Sequence, residues 1–329
     1  MPKILHTARY TGIPWEILKS VVPDAFTVET LEELSYECLL YQVIDADYLL
    51  VSGRLPIDEG VLSVAKSLKM IQRTGVGIEM LDMEAINKHN IPVYVNVGVN
   101  ARSVAEHTLV LMLCCLKNIP QIDKNVKQGV WKKQQTGVIC NELYGKTVGL
   151  VGMGAIGRQV AGYLNAFGVN LLYTDVIRSE KEIEQQLALT YVPSFDDMLS
   201  QVDILSFHCP LTPENKEMLD ANRIEKMRDG AIVVNTARGK LIEPLCLYNA
   251  LKNGKLRMAA LDVHYDEPIP VDYSLAKLDN VILTPHIGGL TFEAFKTMMF
   301  EAVENIRLFE TGKFEDIENK LLNYKSRNL

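Results

Sequence analysis

Three residues have types that together can do chemistry: Arg238 in NTARG, Glu267 in LDVHYDEP and His286 in TPHIGG. Histidine is the usual carrier of a proton near neutral pH. A carboxylate beside it can orient the ring and stabilise its protonated form. An arginine fork can grip a carboxylate or polarise a carbonyl through two parallel hydrogen bonds. Each of the three follows a short apolar run that reads as a strand: Ala231 to Thr236, Ala259 to Val263 and Val281 to Thr284. Taken singly, an arginine after a strand is often solvated, and a glutamate before proline or a histidine after it is often a loop residue. The stretch that follows gives the set its meaning.

Thr147 to Asp175 reads TVGLVGMGAIGRQVAGYLNAFGVNLLYTD. The run Val148 to Val151 suits a buried parallel strand. Gly152, Gly154 and Gly157 then form G-x-G-x-x-G. In this pattern the first glycine makes the tight turn, the second lets a pyrophosphate approach the backbone, and the third lets the helix pack on the sheet. A helical pattern follows, with Gly168 as its stop and a second strand ending in Asp175. Asp175 lies eighteen residues past Gly157, close to the spacing of an acid that binds ribose hydroxyls. The helix start offers unpaired N–H groups to phosphates. A carboxylate at Asp175 repels a 2′-phosphate, which favours NAD over NADP; Arg178 pulls the other way. A dinucleotide, a proton carrier and an arginine fork are the requirements for hydride transfer at a carbon bearing oxygen.

The elements that must position these groups repeat along the chain. Before residue 99, strands are expected at Lys3 to Thr7, Ala25 to Glu29, Ala46 to Val51, Met70 to Arg73 and Val93 to Val97. Helices are expected between them at Ile13 to Val22, Leu31 to Leu40, Ile57 to Leu68 and Met83 to His89. This alternation implies a parallel sheet with crossover helices. Ser103 to Ile119 reads as a long helix, apolar nearly all round from Leu109, hence buried in a core or an interface. Asn125 to Lys146 is polar and reads as irregular. Strand–helix alternation resumes to about Gly289, and Thr291 to Phe309 is an amphipathic helix that could return to the first domain. The expected division is 1–98, 99–290 and 291–329, with the first and last pieces forming one domain. A substrate is expected in the cleft between domains, at the C-terminal ends of strands.

Composition narrows the function. The 329 residues carry a net charge of −7, which argues against a nucleic-acid surface. There is no signal-peptide pattern at the start, and Leu109 to Leu116 is too short to span a bilayer. The six cysteines show no C-x-x-C pair and no zinc-like spacing to histidine, so no metal site is expected. A cytoplasmic protein is the expectation.

The motifs NARSVAEHT, ELYGKTVGLVGMGAIG, HCPLT, NTARGKLI, LDVHYDEP and TPHIGG resemble those of the D-isomer-specific 2-hydroxyacid dehydrogenases, from near residue 46 to near residue 290. The resemblance implies a doubly wound α/β NAD-binding Rossmann domain inserted into a discontinuous flavodoxin-like domain. It also implies a homodimer joined largely through the NAD domains, with Ser103 to Ile119 in the interface. By position, Arg238 would hold the substrate, His286 would be general acid for reduction and base for oxidation, and Glu267 would pair with His286. The backbone of Val76 and Gly77, in RTGVG, would bind the substrate carboxylate. Ala155, Ile156, Asp175, Cys209, Pro210, Asn215, Thr236, Ala237, Arg238, Asp262, His286 and Gly288 would line the NAD site with the three fingerprint glycines. The sequence departs from common patterns in three places: Ala155 stands where many relatives have arginine, His264 where an aromatic is usual, and Glu79 where aspartate is usual.

The wording of NARSVAEHT and of Asn118 to Trp131 is most similar to phosphoglycerate dehydrogenases, in a short form without their regulatory domain. Arg73 matches an arginine that helps bind phosphate there, while Ser52 replaces a second one. Arg54, two residues on, would face the same side of an extended chain. The substrate expected is therefore a small D-2-hydroxy or 2-keto acid, with 3-phosphoglycerate as one candidate beside glyoxylate and hydroxypyruvate. The alternative is an NADH-sensing, corepressor-like binding protein on the same fold. The Arg54 assignment predicts that Arg54→Ala slows turnover of a phosphorylated keto acid more than that of glyoxylate. Equal losses in kcat/KM on both would remove the phosphate role.

Overall fold

The computed structural model describes residues 1–323, which divide into two compact units. Unit 1 comprises Met1–Asn100 and the chain from Phe292 onward; unit 2 is Ala101–Thr291. The sequence expectation put these boundaries at 98/99 and 290/291. Positions 324–329 of the expected last segment lie outside the described residues.

Unit 1 is built on β1 (Lys3–His6), β2 (Thr27–Thr30), β3 (Tyr48–Val51), β4 (Met70–Arg73) and β5 (Val93–Tyr94). They pair parallel in the order β2-β1-β3-β4-β5, the flavodoxin-like order. Period-two alternation sends Leu5, Leu49, Val51, Ile71 and Val93 to one face and Ile4, Tyr48, Leu50 and Met70 to the other. Both faces are covered, so β3 is buried at every position. The helix Phe292–Glu310 supplies Met299, Ala302, Val303 and Ile306 to the second face. It is also held by buried amides. Asn305 Nδ2 and Gln72 Nε2 donate to Asn96 Oδ1 at 3.1 and 3.2 Å, and Asn96 Nδ2 donates to the Met298 carbonyl at 2.9 Å.

Unit 2 carries β6 (Thr147–Val151), β7 (Asn170–Thr174), β8 (Leu189–Tyr191), β9 (Ile204–Phe207), β10 (Ala231–Asn235), β11 (Leu256–Leu261) and β12 (Val281–Leu283). Their order is β12-β11-β10-β9-β6-β7-β8, parallel throughout. The order reverses between β6 and β9, so the loops leaving Val151 and Phe207, which are register partners, diverge from adjacent strand ends. That is the switch point at which a doubly wound sheet takes its ligand.

Several elements differ from the sequence expectation. The second helix of unit 1 is Tyr36–Gln42 rather than Leu31 to Leu40, because Ser35 accepts from the Cys38 N–H and sets the start. The long helix is Ala101–Lys117; Asn118, at φ 52°, ends it, and a proline restarts the chain as Ile119–Lys127. The stretch expected to be irregular therefore holds that helix and a second, Lys133–Gly137. The helix Lys181–Gln186 and β8 were not expected. KEIEQQ has one apolar residue, Ile183, so it has no apolar period to detect, and β8 is three residues long. No described helix is long and apolar enough to cross a membrane.

Candidate active site

The glycine fingerprint forms the turn from β6 into the helix Ala155–Asn165. Gly152 has φ 98°, and a Cβ there would come within 2.7 Å of the Cys209 amide nitrogen. A Cβ on Gly157 would collide with the Gly152 carbonyl. Gly154 faces open space, with nothing within 4 Å of a Cβ. Two glycines thus close the turn and the middle one leaves its outer side clear. No described side chain caps the helix, whose first N–H groups are left for an anion. At the end of β7, Asp175 Oδ2 accepts the Met153 N–H at 2.6 Å, which ties the strand end to the glycine turn.

Across the switch point, Asn215 shapes the loop after β9. Its Oδ1 accepts the Thr212 N–H at 2.7 Å and its Nδ2 donates to the Pro210 carbonyl at 2.8 Å. Burial pushes the Cys209 thiol up to about 11, so it stays protonated at neutral pH. Beyond β10, Asn235 accepts from the Ala237 N–H at 3.0 Å and donates to the Arg238 carbonyl at 2.9 Å. This fixes the turn from which Arg238 projects. Gly239 must be glycine because a Cβ would collide with the His264 carbonyl. Thr236 and Thr108 share a hydroxyl hydrogen bond of 2.9 Å. These residues fit a dinucleotide: an open glycine turn, an uncapped helix start and a carboxylate at the neighbouring strand end.

His286 and Glu267 form a hydrogen-bonded pair, with Nδ1 to Oε2 at 2.7 Å. The other oxygen of Glu267 accepts the His264 N–H at 2.9 Å, so the carboxylate is aimed from behind. The Glu267 hydrogen bond raises the His286 pKa above its ordinary value against the opposing effect of burial; the Arg238 charge also works to lower it. Burial acts to raise the Glu267 pKa, yet the bonds from His286 and His264 hold it below the usual range. His264 itself lies buried, edge-on to Tyr273, with Nε2 2.9 Å from the Thr284 carbonyl.

His286 has φ 55°, in the left-handed region that is uncommon for residues with a side chain. Asp262 is part of what holds it. The Asp262 carboxylate accepts the N–H groups of Ile287 and Gly288 at 3.0 and 2.8 Å and the Thr284 hydroxyl at 2.5 Å. His107 Nε2 lies 3.4 Å from the same carboxylate, and the Ser103 hydroxyl donates to the Gly288 carbonyl at 2.5 Å. Burial acts to raise the Asp262 pKa, but these bonds keep it far below the usual range. Sequence reasoning missed Ser103, His107, Thr108, Asn235 and Thr284 as parts of the site. A signal existed: Ser103 and His107, four apart, share one face of the helix.

The remaining predicted residues belong to unit 1. Arg73 donates to the carbonyls of Gly77 (2.5 Å) and Val51 (2.8 Å), so it braces the loop that carries Val76 and Gly77. Arg54 is exposed beyond β3. Burial, with a smaller push from the Arg54 charge, lowers His6 to about 3.

The fold and these strand-end groups define a class of two-unit α/β proteins with a dinucleotide turn and a histidine–carboxylate pair. The chain belongs to the D-isomer specific 2-hydroxyacid dehydrogenases: residues 109–288 match that family's NAD binding domain. It is 38% identical over 296 residues to a D-3-phosphoglycerate dehydrogenase of Methanocaldococcus jannaschii, covering 90% of this chain and 56% of that protein. It is 35% identical over 281 residues to a glyoxylate reductase of Korarchaeum cryptofilum, covering 85% and 84%. A D-lactate dehydrogenase of Aquifex aeolicus, solved with NAD and lactic acid, superposes with a TM-score of 0.84 at 28% identity, covering 98% of this chain and all of that one. The chain spans about half the length of the phosphoglycerate dehydrogenases it matches.

The His286–Glu267 geometry generates a direct test. Titrating the His286 ring by NMR is expected to give a pKa above the ordinary histidine value. Glu267→Gln should move it down; an unchanged titration would show that the pair does not control the proton.

Proposed function

We propose that this chain is an NAD-dependent dehydrogenase that interconverts a small D-2-hydroxy acid and its 2-keto acid. The observation that carries the reading is the 2.7 Å His286–Glu267 pair, standing at strand ends beyond an open dinucleotide turn. When bound to the turn at Gly152 to Gly157, NADH supplies the hydride. Asp175 would hold the ribose hydroxyls; Thr236, Ala237, Cys209 and Pro210 would line the cofactor's further course. Arg238 would grip the substrate carboxylate or carbonyl oxygen, and the backbone N–H groups of Val76 and Gly77 would take the carboxylate. His286 gives its Nε2 proton to the oxygen during reduction and removes it during oxidation. Glu267, on the opposite ring nitrogen, stabilises the imidazolium.

The pH dependence follows from the sign of the shift. Reduction needs protonated His286, so its rate is full below the raised pKa and falls as pH rises through it. Oxidation needs the neutral ring and gains over the same range.

The substrate is read from chemistry and likeness together. Relatives of similar identity are named for 3-phosphoglycerate, a 2-hydroxy acid, and glyoxylate, a 2-oxo acid, which supports a 2-hydroxy/2-oxo acid pair as the substrate class. Arg54 is the group that would add a phosphate preference. With pure protein, NADH oxidation is measured against glyoxylate, hydroxypyruvate, phosphohydroxypyruvate, pyruvate and branched 2-keto acids. At least one should turn over at about 1 s⁻¹ or faster. His286→Asn should lower kcat by about a thousandfold while NADH binding stays intact. No turnover with tight NADH binding would favour the sensing role instead.

The reading includes a homodimer through unit 2. Val110 (53% exposed), Trp131 (78%), Val138 (81%) and Tyr144 (76%) leave apolar surface uncovered on one chain. The apolar pattern from Leu109 onward puts the long helix in a core or an interface, and exposed Val110 on it is what a partner copy would cover. Sedimentation equilibrium should give twice the chain mass of 36.9 kDa, and Trp131→Glu with Val138→Glu should shift it toward the monomer. A native mass equal to one chain would overturn the dimer.

A further inference from the structure

Arg178 is three residues past Asp175, and an arginine near that acid is the usual recogniser of the extra phosphate of NADPH. In this chain that guanidinium is already engaged. Its Nε and one Nη donate to the two carboxylate oxygens of Glu184 at 2.8 and 2.9 Å, a bidentate pair.

The pair is held from several sides. The Tyr173 hydroxyl donates to Glu184 Oε1 at 2.7 Å, and the Ser179 N–H donates back to the Tyr173 oxygen at 2.9 Å. The guanidinium lies 5.2 Å over the ring of Tyr191, which is tilted against Tyr173. Glu184 is only 11% exposed, against 56% for Arg178. Arg178 first, and the Tyr173 hydroxyl second, hold the Glu184 carboxyl down at about 2, so it is charged at every working pH. An ordinary exposed ion pair would yield easily to a phosphate. This one has a mostly covered carboxylate, a second donor and a stacked ring, contributed by β7, the helix Lys181–Gln186 and β8.

We propose that Glu184 is a specificity-determining residue: it sequesters Arg178 from a 2′-phosphate, so that Asp175 alone sets the choice and NADH is taken over NADPH. The inference rests on the dinucleotide reading above and deepens it. A 2′-phosphate would meet the Asp175 carboxylate and an Arg178 whose charge Glu184 already balances. It could gain Arg178 only by displacing Glu184 from both of its bonds.

The test is equilibrium binding of NADH and of NADPH, each by calorimetry, to the full chain and three variants. The unaltered protein is expected to bind NADH, and NADPH on the order of a hundredfold more weakly. Glu184→Gln should tighten NADPH about tenfold, as expected for one charge-assisted contact, with NADH changed less than about twofold. Arg178→Ala alone should leave NADPH nearly unchanged, because the guanidinium is not available to it. In the Glu184→Gln background the same change should abolish the gain. The proposal is overturned if Glu184→Gln gives no gain, if the gain survives loss of Arg178, or if Arg178→Ala alone weakens NADPH several-fold. That last measurement decides the matter even should the Glu184 variants fail to fold. Failure of NADH itself to bind the unaltered protein would sink the cofactor reading, and is seen separately from any change in NADPH.

Discussion

A single buried carboxylate organises the reactive end of unit 2. Asp262 leaves β11 and accepts from three donors, the Thr284 hydroxyl after β12 and the backbone N–H groups of Ile287 and Gly288. His107 of the long helix hydrogen-bonds that hydroxyl at 3.1 Å and lies 3.4 Å from the carboxylate. A charge at 2% exposure would be costly unless satisfied in this way. Meeting that requirement draws two strand ends and a helix to one point. His286 sits between two of the donors, and its left-handed backbone conformation is what lets its ring turn toward Glu267 while its neighbours bond to Asp262. The geometry of the proton pair is thus a by-product of solvating a buried charge with protein.

The two carboxylates divide the work by environment. Asp262 is buried and saturated with donors, so it stays ionised and structural. Glu267 is about one-third exposed and accepts from the His264 amide with one oxygen while the other faces the His286 ring. Arg238 opposes the effect of Glu267 on that ring from the β10 side. The balance leaves His286 above its ordinary value, in the direction the proposed proton donor needs.

Much of this was legible in the sequence where one residue type has one physical reason. Gly152 and Gly157 are demanded by backbone clashes, and G-x-G-x-x-G encodes them directly. Glu267 and His286 are common loop residues taken singly; following apolar runs after a dinucleotide fingerprint is what singled them out, and their side chains do meet at 2.7 Å. What was missed depends on contacts between distant segments. Nothing local to His107 says that its ring will meet a carboxylate 155 positions away. The helix Lys181–Gln186 carries no apolar stripe, so its existence follows from packing beside β7 and β8 rather than from its own pattern. Ser35 displaced the second helix of unit 1 because a side-chain cap outweighs the apolar residues before it.

The return of the helix Phe292–Glu310 to unit 1 has a bearing on how the chain is made. Met299, Ala302, Val303 and Ile306 close one face of a sheet whose strands all lie before residue 95, and Asn305 completes the hydrogen bonding of Asn96. During vectorial synthesis, nearly two hundred residues of unit 2 must emerge before that face can be covered. The first five strands therefore wait with one apolar face only partly covered, by Ile17 and Leu18, while a whole later unit is able to fold. The part of the protein made first is the part finished last.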